Sequence, residues 1–380
     1  MEQTIYRGLD GVYIDTTKIC QIDGQKGQLI YRGYDISELA DKASFEEVIY
    51  LLWNDDLPDK EQLAAFQEEL KPHFAVPDEI IDLFRLLPKE TQPMHALQSA
   101  VSTLASFDDE SEDVSLDNVR NIGLKLVTQF PTLVATLERI RAGKDPVAPN
   151  PDYGVAKNFL YMLNGEEPSD AAVRVMDVAL VLHAEHGSNA STFTARTTAS
   201  TLTDVYSAIS AAVGSLKGPL HGGANTAVMN ALEKIGSIDG VEAFVMDKLS
   251  DEGGRVPGFG HRVYRVIDPR AVILERVSED LAEESGDSKW FEMSQEMERV
   301  MAREMDEKGK QVKPNVDFFS ASVYRMLGFP ADMYTPIFAV ARISGWMAHL
   351  LEQYDGNRIM RPRLVYEGPT GKTFTPIEER

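Results

Sequence analysis

The sequence contains little cysteine and no long apolar run. Cys20 is the only cysteine among 380 residues, which excludes an intramolecular disulfide and a zinc site built from several cysteines. The longest apolar stretch, residues 337–351, contains Arg342 and is too short to span a bilayer. Residues 1–5 lack the basic segment and apolar core of a secretory signal. We therefore expect a soluble, cytoplasmic protein with no membrane partner.

Positive charge is also scarce. The chain has 38 Lys+Arg against 60 Asp+Glu, a formal net charge of −22, and a pI near 4.7. Such a balance excludes non-specific attraction to nucleic acid or anionic membranes. Two interpretations of the acidity stay open: adaptation to a high-salt cytoplasm, where salt screens the repulsion between carboxylates, or an acidic protein of ordinary ionic strength.

The length of the chain predicts more than one domain. A single hydrophobic core stops growing near about 250–300 residues, and this chain has 380. Residues 8–34 alternate short apolar pieces with Asp-Gly and Gly turns, which predicts a few short strands or hairpins. Almost all of the remaining chain has the apolar periodicity of helices, so the predicted fold class is mainly α.

Pro, Gly and Asx breaks divide the helical part of the chain. The predicted helices are 44–53, 60–71, 77–86, 95–106, 115–142, 152–163, 169–184, 200–213, 224–234 and one that ends near Leu249. Ser44 and Glu47 form a capping box. Asp268-Pro269 and Thr335-Pro336 each predict an N-cap followed by a proline in the first helical position, the second for a helix that runs to about residue 354.

Three short segments place chemically active side chains beside chain breaks. His221 stands between Gly-Pro and Gly-Gly in 218–225, His261 ends a glycine-rich run in 257–262, and Asp317 follows Pro-Asn at a predicted helix start. Each has a structural alternative: a lone histidine is often a core residue, and a first-turn carboxylate stabilises the helix dipole by about 0.3–1 kcal/mol. Together they form a candidate acid–base set. The positive end of a helix starting near residue 224 would keep His221 neutral and able to donate a hydrogen bond.

Other polar residues suggest what the set acts on. Guanidinium groups bind carboxylates with two parallel hydrogen bonds, so Arg270, Arg342 and Arg361 suit a small di-acid. A cationic cluster suited to phosphate groups comprises Lys217, Arg262, Arg265, Lys308, Lys310 and Lys313. No Walker loop accompanies it in the sequence.

His183 and His186 are spaced i,i+3, a spacing that can place two metal ligands on one face of a helix. No third ligand follows at a familiar spacing, and the pattern differs from that of zinc proteases. We therefore expect no metal, although a metal-dependent hydrolase built on these two residues and Glu185 stays a rival. His186, followed by Gly187, is better suited to contact a substrate or the backbone.

The sequence resembles the citrate synthase family over nearly its whole length. The resemblance extends from segments 8–12 and 29–34 through residue 362, and it is strongest in 218–225, 257–270 and 314–317. It implies a mainly α-helical, two-domain homodimer with short N-terminal strands. The implied large domain comprises residues 1–222 and 331–380, and the small domain comprises residues 223–330.

The resemblance also implies an activity, the condensation of acetyl-CoA with oxaloacetate and water to give citrate and CoA at the entry of the tricarboxylic acid cycle. His221 matches the histidine that hydrogen-bonds the thioester carbonyl, Asp317 the base that takes a methyl proton, and His261 the histidine that polarises the ketone. Residues matching the oxaloacetate ligands are His186, Arg270, Arg342 and, from the neighbouring subunit, Arg361. Residues matching coenzyme A contacts are Gly258, Gly260, Arg265, Lys310 and Lys313. The thioester is a co-substrate, and no tightly bound cofactor is implied.

Two alternatives accompany this interpretation. The chain also resembles 2-methylcitrate synthase, which uses propionyl-CoA with the same catalytic residues, and one methylene distinguishes the substrates by only about 1–3 kcal/mol. A non-catalytic helical dimer that binds acyl-CoA is the alternative from another functional class. The sequence starts directly at the strand region, from which we expect a dimer without the NADH-regulated extension of some bacterial hexamers.

Overall fold

A computed structural model describes residues 4–250, 254–261 and 263–380. The predicted phosphate contact Arg262 and the first glycine of the glycine-rich loop, Gly253, lie outside the described residues. The described chain is mainly helical, with one small antiparallel sheet near its N-terminus. This confirms the predicted fold class.

The sheet consists of β1 (Cys20–Asp23), β2 (Gln28–Tyr31) and β3 (Tyr34–Asp35), paired in that order. In the turn between β1 and β2, the side chain of Asp23 accepts hydrogen bonds from the backbone N–H groups of Gln25 and Lys26, both at 3.0 Å. Gly27 ends the turn at φ +65°, a conformation that favours glycine. The predicted hairpin is confirmed.

Most of the α-helices in the described ranges follow the predicted segments. In chain order they are α1 (Ile36–Lys42), α2 (Phe45–Asn54), α3 (Lys60–Leu70), α4 (Asp78–Leu86), α5 (Pro93–Leu104), α6 (Leu116–Arg141), α7 (Val155–Asn164), α8 (Asp170–His183), α9 (Ala190–Ala199), α10 (Val205–Leu216), α11 (Ala224–Ile235), α12 (Val241–Ser250), α13 (Pro269–Ser285), α14 (Lys289–Glu307), α15 (Val316–Met326) and α16 (Tyr334–Asp355).

Two of the three predicted helix starts are confirmed. Ser44 and Glu47 form the reciprocal capping box of α2, and Asp268 caps α13 with Pro269 in the first position. The third is wrong, because α16 begins at Tyr334, one residue before Thr335. The hydroxyl of Thr335 donates to the carbonyl of Gly222 at 2.9 Å instead of capping its own helix.

The predicted helix 200–213 is wrong at its beginning. α10 starts at Val205, where the side chain of Asp204 accepts a hydrogen bond from the Ser207 backbone at 2.8 Å. Leu202 precedes this cap at φ +62°, which no continuous helix permits. α9 was missed because its Ser, Thr and Ala residues have little apolar periodicity.

α16 forms the centre of the core. It is buried on all its faces, as expected of a helix inside a large domain. It packs against α2, α5, α6, α8, α9 and α10. None of the helices in the described ranges combines the length and apolarity needed to cross a bilayer.

Helices α11 to α15 pack chiefly on one another, in the pairs α13 with α15, α11 with α15 and α12 with α14. α13 also contacts α1 and α8, which belong to the group around α16. His221 lies in the connection from α10 to α11, which is also the connection between the two groups of helices. The predicted domain limits at residues 222 and 331 stay a prediction.

Two carboxyl groups hold the starts of α2 and α7: that of Asp177, whose side chain is 13% exposed, and that of the buried Glu46. Asp177 accepts a hydrogen bond from the backbone N–H of Phe45 at 2.8 Å, and Glu46 accepts one from that of Val155 at 2.7 Å. Burial, assisted by the nearby charge of Glu46, raises the pKa of Asp177 to about 7. Because the unfolded chain ionises this group near pH 4, its contribution to stability is present below about pH 4 and declines as the pH rises to about 7.

We predict that Asp177→Asn raises the free energy of unfolding at about pH 8 by about 1–2 kcal/mol, because the amide oxygen still accepts the Phe45 hydrogen bond without a buried charge. Denaturant unfolding at about pH 5 and about pH 8 tests this, since the gain should shrink at the lower pH. Asp82→Asn, at an exposed carboxylate on α4, is the control and should change stability by less than about 0.5 kcal/mol. Equal effects of the two substitutions at pH 8 would contradict the prediction.

Candidate active site

The loop that carries His261 is tied by its backbone to the start of α15. Gly260 donates its N–H to the carbonyl of Lys313 at 2.9 Å, and Asn315 donates its N–H to the carbonyl of Gly258 at 2.9 Å. The side-chain amide of Asn315 donates to the carbonyl of Gly260, also at 2.9 Å. Three hydrogen bonds thus join two segments that are distant in the chain; Gly260 and Asn315 are 55 positions apart.

Gly258 has a structural reason to be glycine. It lies at φ +81°, and a Cβ at this position would approach Phe318 within 2.7 Å and Val228 within 2.8 Å. Any side chain would therefore push the loop away from α11 and α15. Gly260, at φ +83°, is less crowded: a Cβ there would meet only Val312, at an ordinary contact distance of 3.9 Å. The predicted coenzyme A contacts of both glycines stay a prediction.

Asp317 is the second residue of α15, two positions after the N-cap Asn315, whose Oδ1 accepts a hydrogen bond from the Asp317 backbone N–H at 3.0 Å. Its Oδ1 is buried and has no hydrogen-bond partner among the described residues. Burial raises the pKa of Asp317 to about 7, although the positive charge of Arg270 opposes the rise. A helix start ordinarily favours the ionised carboxylate, so desolvation is the larger effect here. The result is a base that exchanges protons near neutral pH.

His221 lies in the turn before α11. The backbone N–H of Ser191 donates to His221 Nε2 at 3.3 Å, and the Ser191 hydroxyl lies 2.8 Å from the same nitrogen. A backbone N–H can only donate, so Nε2 accepts and the ring proton resides on Nδ1. Burial lowers the pKa of His221 to about 4, with Arg342 as the second cause. The imidazole is neutral as predicted, but through burial and a nearby guanidinium rather than the helix end.

Ser191 was missed by the sequence analysis. Its hydroxyl also accepts a hydrogen bond from the indole N–H of Trp346 at 3.1 Å and lies 2.8 Å from the amide oxygen of Asn189. The contacts join α9, α16 and the turn at His221, which are far apart in the chain. No local sequence pattern predicts contacts between such distant segments.

His261 has the opposite tautomer. The backbone N–H groups of Val263 and Tyr264 donate to its Nδ1 at 3.0 and 3.2 Å. The ring proton therefore resides on Nε2. Burial lowers the pKa of His261 to about 4, and the charge of Arg270 lowers it further. His261 is a neutral hydrogen-bond donor at physiological pH.

Two of the predicted arginines are buried. Arg270 is 2% exposed and makes two hydrogen bonds to Asp268, Nε to Oδ1 at 3.0 Å and Nη2 to Oδ2 at 2.8 Å. Arg342 is 1% exposed; its Nε donates to the carbonyl of His183 at 2.8 Å, and its guanidinium lies 4.7 Å from the ring centroid of Phe338. These contacts hold both cations in place. Arg270 is paired with a carboxylate, whereas the contacts given for Arg342 are a carbonyl and an aromatic ring.

The charges of the two guanidinium groups act on the pKa values of the predicted catalytic residues. The charge of Arg342 acts on the pKa of both His221 and Asp317. The charge of Arg270 acts on the pKa of both His261 and Asp317. Both charges help to hold the pKa of His186 well below its usual value, after the larger effect of burial. The structure thus brings six predicted residues into one site: His186, His221, His261, Arg270, Asp317 and Arg342.

The remaining predicted residues lie outside this cluster. Arg361 is exposed in the extended segment that follows α16. Arg265, Lys310 and Lys313 are likewise exposed, near the loop that carries His261. Within one chain the structure does not bring Arg361 to the buried arginines, and its role across a subunit interface stays a prediction.

The residues of the metal-site alternative have separate partners. His183 is buried, donates from Nδ1 to the carbonyl of Ala179 at 2.8 Å, and has its pKa lowered by burial to about 3. Glu185 pairs with His349, Oε1 to Nε2 at 3.0 Å. Among the described residues no three His, Cys, Asp or Glu side chains are grouped to hold a metal ion. The geometry therefore gives the hydrolase alternative no support.

We predict that His221 and His261 stay neutral between about pH 9 and about pH 5.5, since burial lowers both pKa values to about 4. Histidine ring carbon NMR shifts across this range test the prediction, with each signal assigned by substitution of its histidine. A histidine-containing peptide, which titrates near pH 6.5, is the control. A titration midpoint between about pH 6 and 7 for either residue would contradict it.

Comparisons with known proteins identify the family of the chain. A family profile described as citrate synthase, C-terminal domain, matches residues 8–363. Citrate synthase 2 of Bacillus subtilis is 49% identical over 99% of this chain and 100% of its own, whereas 2-methylcitrate synthase 1 of Corynebacterium glutamicum is 40% identical over 100% and 99%. The crystal structure of Thermoplasma acidophilum citrate synthase with carboxymethyl coenzyme A and oxaloacetate superposes with a TM-score of 0.93 at 33% identity, covering 100% of both chains. This chain belongs to the citrate synthase family of acyltransferases.

Proposed function

We propose that the six-residue cluster condenses acetyl-CoA with oxaloacetate and that hydrolysis of the product thioester releases citrate and CoA. The observation that carries the proposal is one carboxyl with a pKa of about 7 together with two neutral imidazoles, held around buried arginines. This combination suits removal of a proton from carbon followed by attack on a ketone. The full-length similarity to citrate synthases supports the same reaction.

In the first step, Asp317 takes a proton from the methyl group of acetyl-CoA. That group is a very weak carbon acid, so the enolate oxygen must be stabilised as charge develops on it. The Nδ1–H of His221 is the donor for this oxygen, because Ser191 occupies Nε2. A neutral imidazole is sufficient to stabilise the enolate oxygen by a hydrogen bond. Because His221 carries no positive charge, it does not lower the basicity of the Asp317 carboxylate.

In the second step, the enol carbon attacks the ketone carbon of oxaloacetate. The ketone oxygen gains negative charge and accepts a hydrogen bond from Nε2–H of His261, whose Nδ1 is occupied by backbone donors. This oxygen takes up a proton, which balances the one removed by Asp317, and becomes the hydroxyl group of citryl-CoA. Arg270, Arg342 and His186 hold the two carboxylates of oxaloacetate so that the carbons meet in attack geometry. Water then cleaves the citryl thioester, giving a carboxylate and free CoA thiol.

The arrangement of domains completes the proposal. Oxaloacetate bound between the groups of helices around α16 and α15 would draw residues 223–330 toward residues 1–222 and 331–380, and this closure would keep water from the enol. In a homodimer, the exposed Arg361 would reach the oxaloacetate of the partner subunit. The exposed cations Arg265, Lys310 and Lys313 would bind the phosphates of coenzyme A, in a cytoplasmic enzyme.

The acyl preference is tested by thiol release from acetyl-CoA and from propionyl-CoA, each with and without oxaloacetate. We expect oxaloacetate-dependent release with kcat/KM at least about tenfold higher for acetyl-CoA, since one methylene is worth about 1–3 kcal/mol. A preference for propionyl-CoA would instead support a 2-methylcitrate synthase. No oxaloacetate-dependent release would support a binding protein. A maximum at high salt in the same assay would favour adaptation to a salt-rich cytoplasm.

The role of Asp317 is tested with Asp317→Asn, which keeps the shape of the side chain and removes the base. We expect kcat to fall at least about 100-fold. In the native enzyme, kcat/KM should fall as the pH drops below about 7, because Asp317 must be ionised to accept a proton.

Asp59→Asn is the matched control for this substitution. Asp59 caps α3 at the exposed surface, and asparagine caps equally well. Its activity and pH profile should equal those of the native enzyme. Retention of full activity by Asp317→Asn, with a folded protein, would reject the proposed base.

A further inference from the structure

Tyr264 is a buried residue of the site to which the proposed reaction assigns no role. It is 4% exposed and lies in the loop between His261 and α13. Its hydroxyl oxygen lies 3.2 Å from Nε2 of His186. Its ring centroid lies 4.8 Å from that of His261 and 5.6 Å from that of His186. Tyr264 therefore touches both imidazoles that the proposal places at oxaloacetate.

The two histidines belong to different parts of the fold. His186 follows α8, which packs on α16, whereas His261 is tied by its loop to the start of α15. Tyr264 connects them by two separate contacts: its backbone N–H donates to Nδ1 of His261 at 3.2 Å, and its hydroxyl reaches His186. The ring centroids of the two histidines lie 5.4 Å apart.

The N-terminal hairpin supports this loop from the other side. Arg265, the next residue, donates its backbone N–H to the carbonyl of Gly24 at 2.8 Å. A Cβ on Gly24 would overlap the carbonyl oxygen of Val263, so the close approach requires glycine there. With its neighbours fixed on both sides, Tyr264 has little freedom to turn away from the histidines.

The hydrogen bond also bears on where the ring proton of His186 resides. Burial raises the pKa of the Tyr264 phenol and lowers that of His186, so both groups are neutral. A phenol O–H is a stronger acid than an imidazole N–H, and an unprotonated ring nitrogen is the stronger acceptor. The favoured arrangement has the Tyr264 hydroxyl donating to Nε2, which leaves the proton of His186 on Nδ1.

We propose that Tyr264 is a positioning residue that fixes the tautomer and ring orientation of His186 and couples them to the His261 loop. Both imidazoles are then presented to oxaloacetate together, one from each part of the fold. The inference rests on the proposed function for the identity of the ligand. It goes beyond that proposal by giving a part in oxaloacetate binding to a residue that does not itself take part in the chemistry.

The first test is oxaloacetate binding to Tyr264→Phe, measured by calorimetry in the absence of acetyl-CoA so that turnover is not required. A lost hydrogen bond of ordinary strength predicts a Kd about 2–10-fold higher. Tyr354→Phe is the matched control, because it removes another buried hydroxyl, one that donates to the carbonyl of Thr203 at 2.7 Å. Its Kd should equal that of the native protein.

The second test is the tautomer of His186, read from ring ¹⁵N shifts. The chain has only 7 histidines, and the His186→Asn variant identifies the signal. We expect the Nδ1–H form in the native protein and a shift toward the Nε2–H form in Tyr264→Phe. A merely structural role in packing would leave the tautomer unchanged.

The proposal requires both results, and an unchanged Kd or an unchanged tautomer in Tyr264→Phe overturns it. Failure of the proposed function would be seen separately, as a native protein that binds oxaloacetate but releases no thiol from acetyl-CoA. Native protein that shows no oxaloacetate binding at all would overturn the ligand assignment of both proposals.

Discussion

Removal of water from a small group of charged and titratable side chains is the constraint on which the site depends. Burial raises the pKa of Asp317 to about 7 and lowers those of His221 and His261 to about 4. Two guanidinium groups oppose the first shift and reinforce the other two. The same desolvation that makes Asp317 a base near neutrality therefore keeps both imidazoles neutral. Acid–base partners with separate roles arise from one physical cause.

Burial alone would leave the two imidazoles free to exchange tautomers. Backbone N–H groups prevent this, because they can only donate: Ser191 occupies Nε2 of His221, and the residues after His261 occupy its Nδ1. The two rings thus expose opposite nitrogens as hydrogen-bond donors. α16 helps to hold the residues around His221 in place. Its Trp346 donates a hydrogen bond to the Ser191 hydroxyl, and its Arg342 donates one to the carbonyl of His183.

Much of the fold was predictable because its signals are local. The capping box at Ser44, the Asp268-Pro269 start of α13 and the turn glycines of the N-terminal hairpin all act within a few residues of themselves. Prediction failed where contacts between distant segments determine the position of a helix. The start of α16 is one such place, where Thr335 binds Gly222 across the core, and α9 is another, where small polar residues conceal a helix held by tertiary packing.

The sequence by itself determined the mainly helical class and the family, because apolar periodicity predicts helices and the segments around His221, His261 and Asp317 carry the resemblance to citrate synthases. That resemblance also singled out His186, Arg270 and Arg342. Only the tertiary structure decided the protonation and tautomer of each group and brought Ser191 and Tyr264 to the histidines. The physical reason is that desolvation and hydrogen bonding depend on which segments meet in space. The site combines residues on or next to α8, α9, α15 and α16, which occupy different parts of the chain. No local sequence pattern predicts that these segments come together.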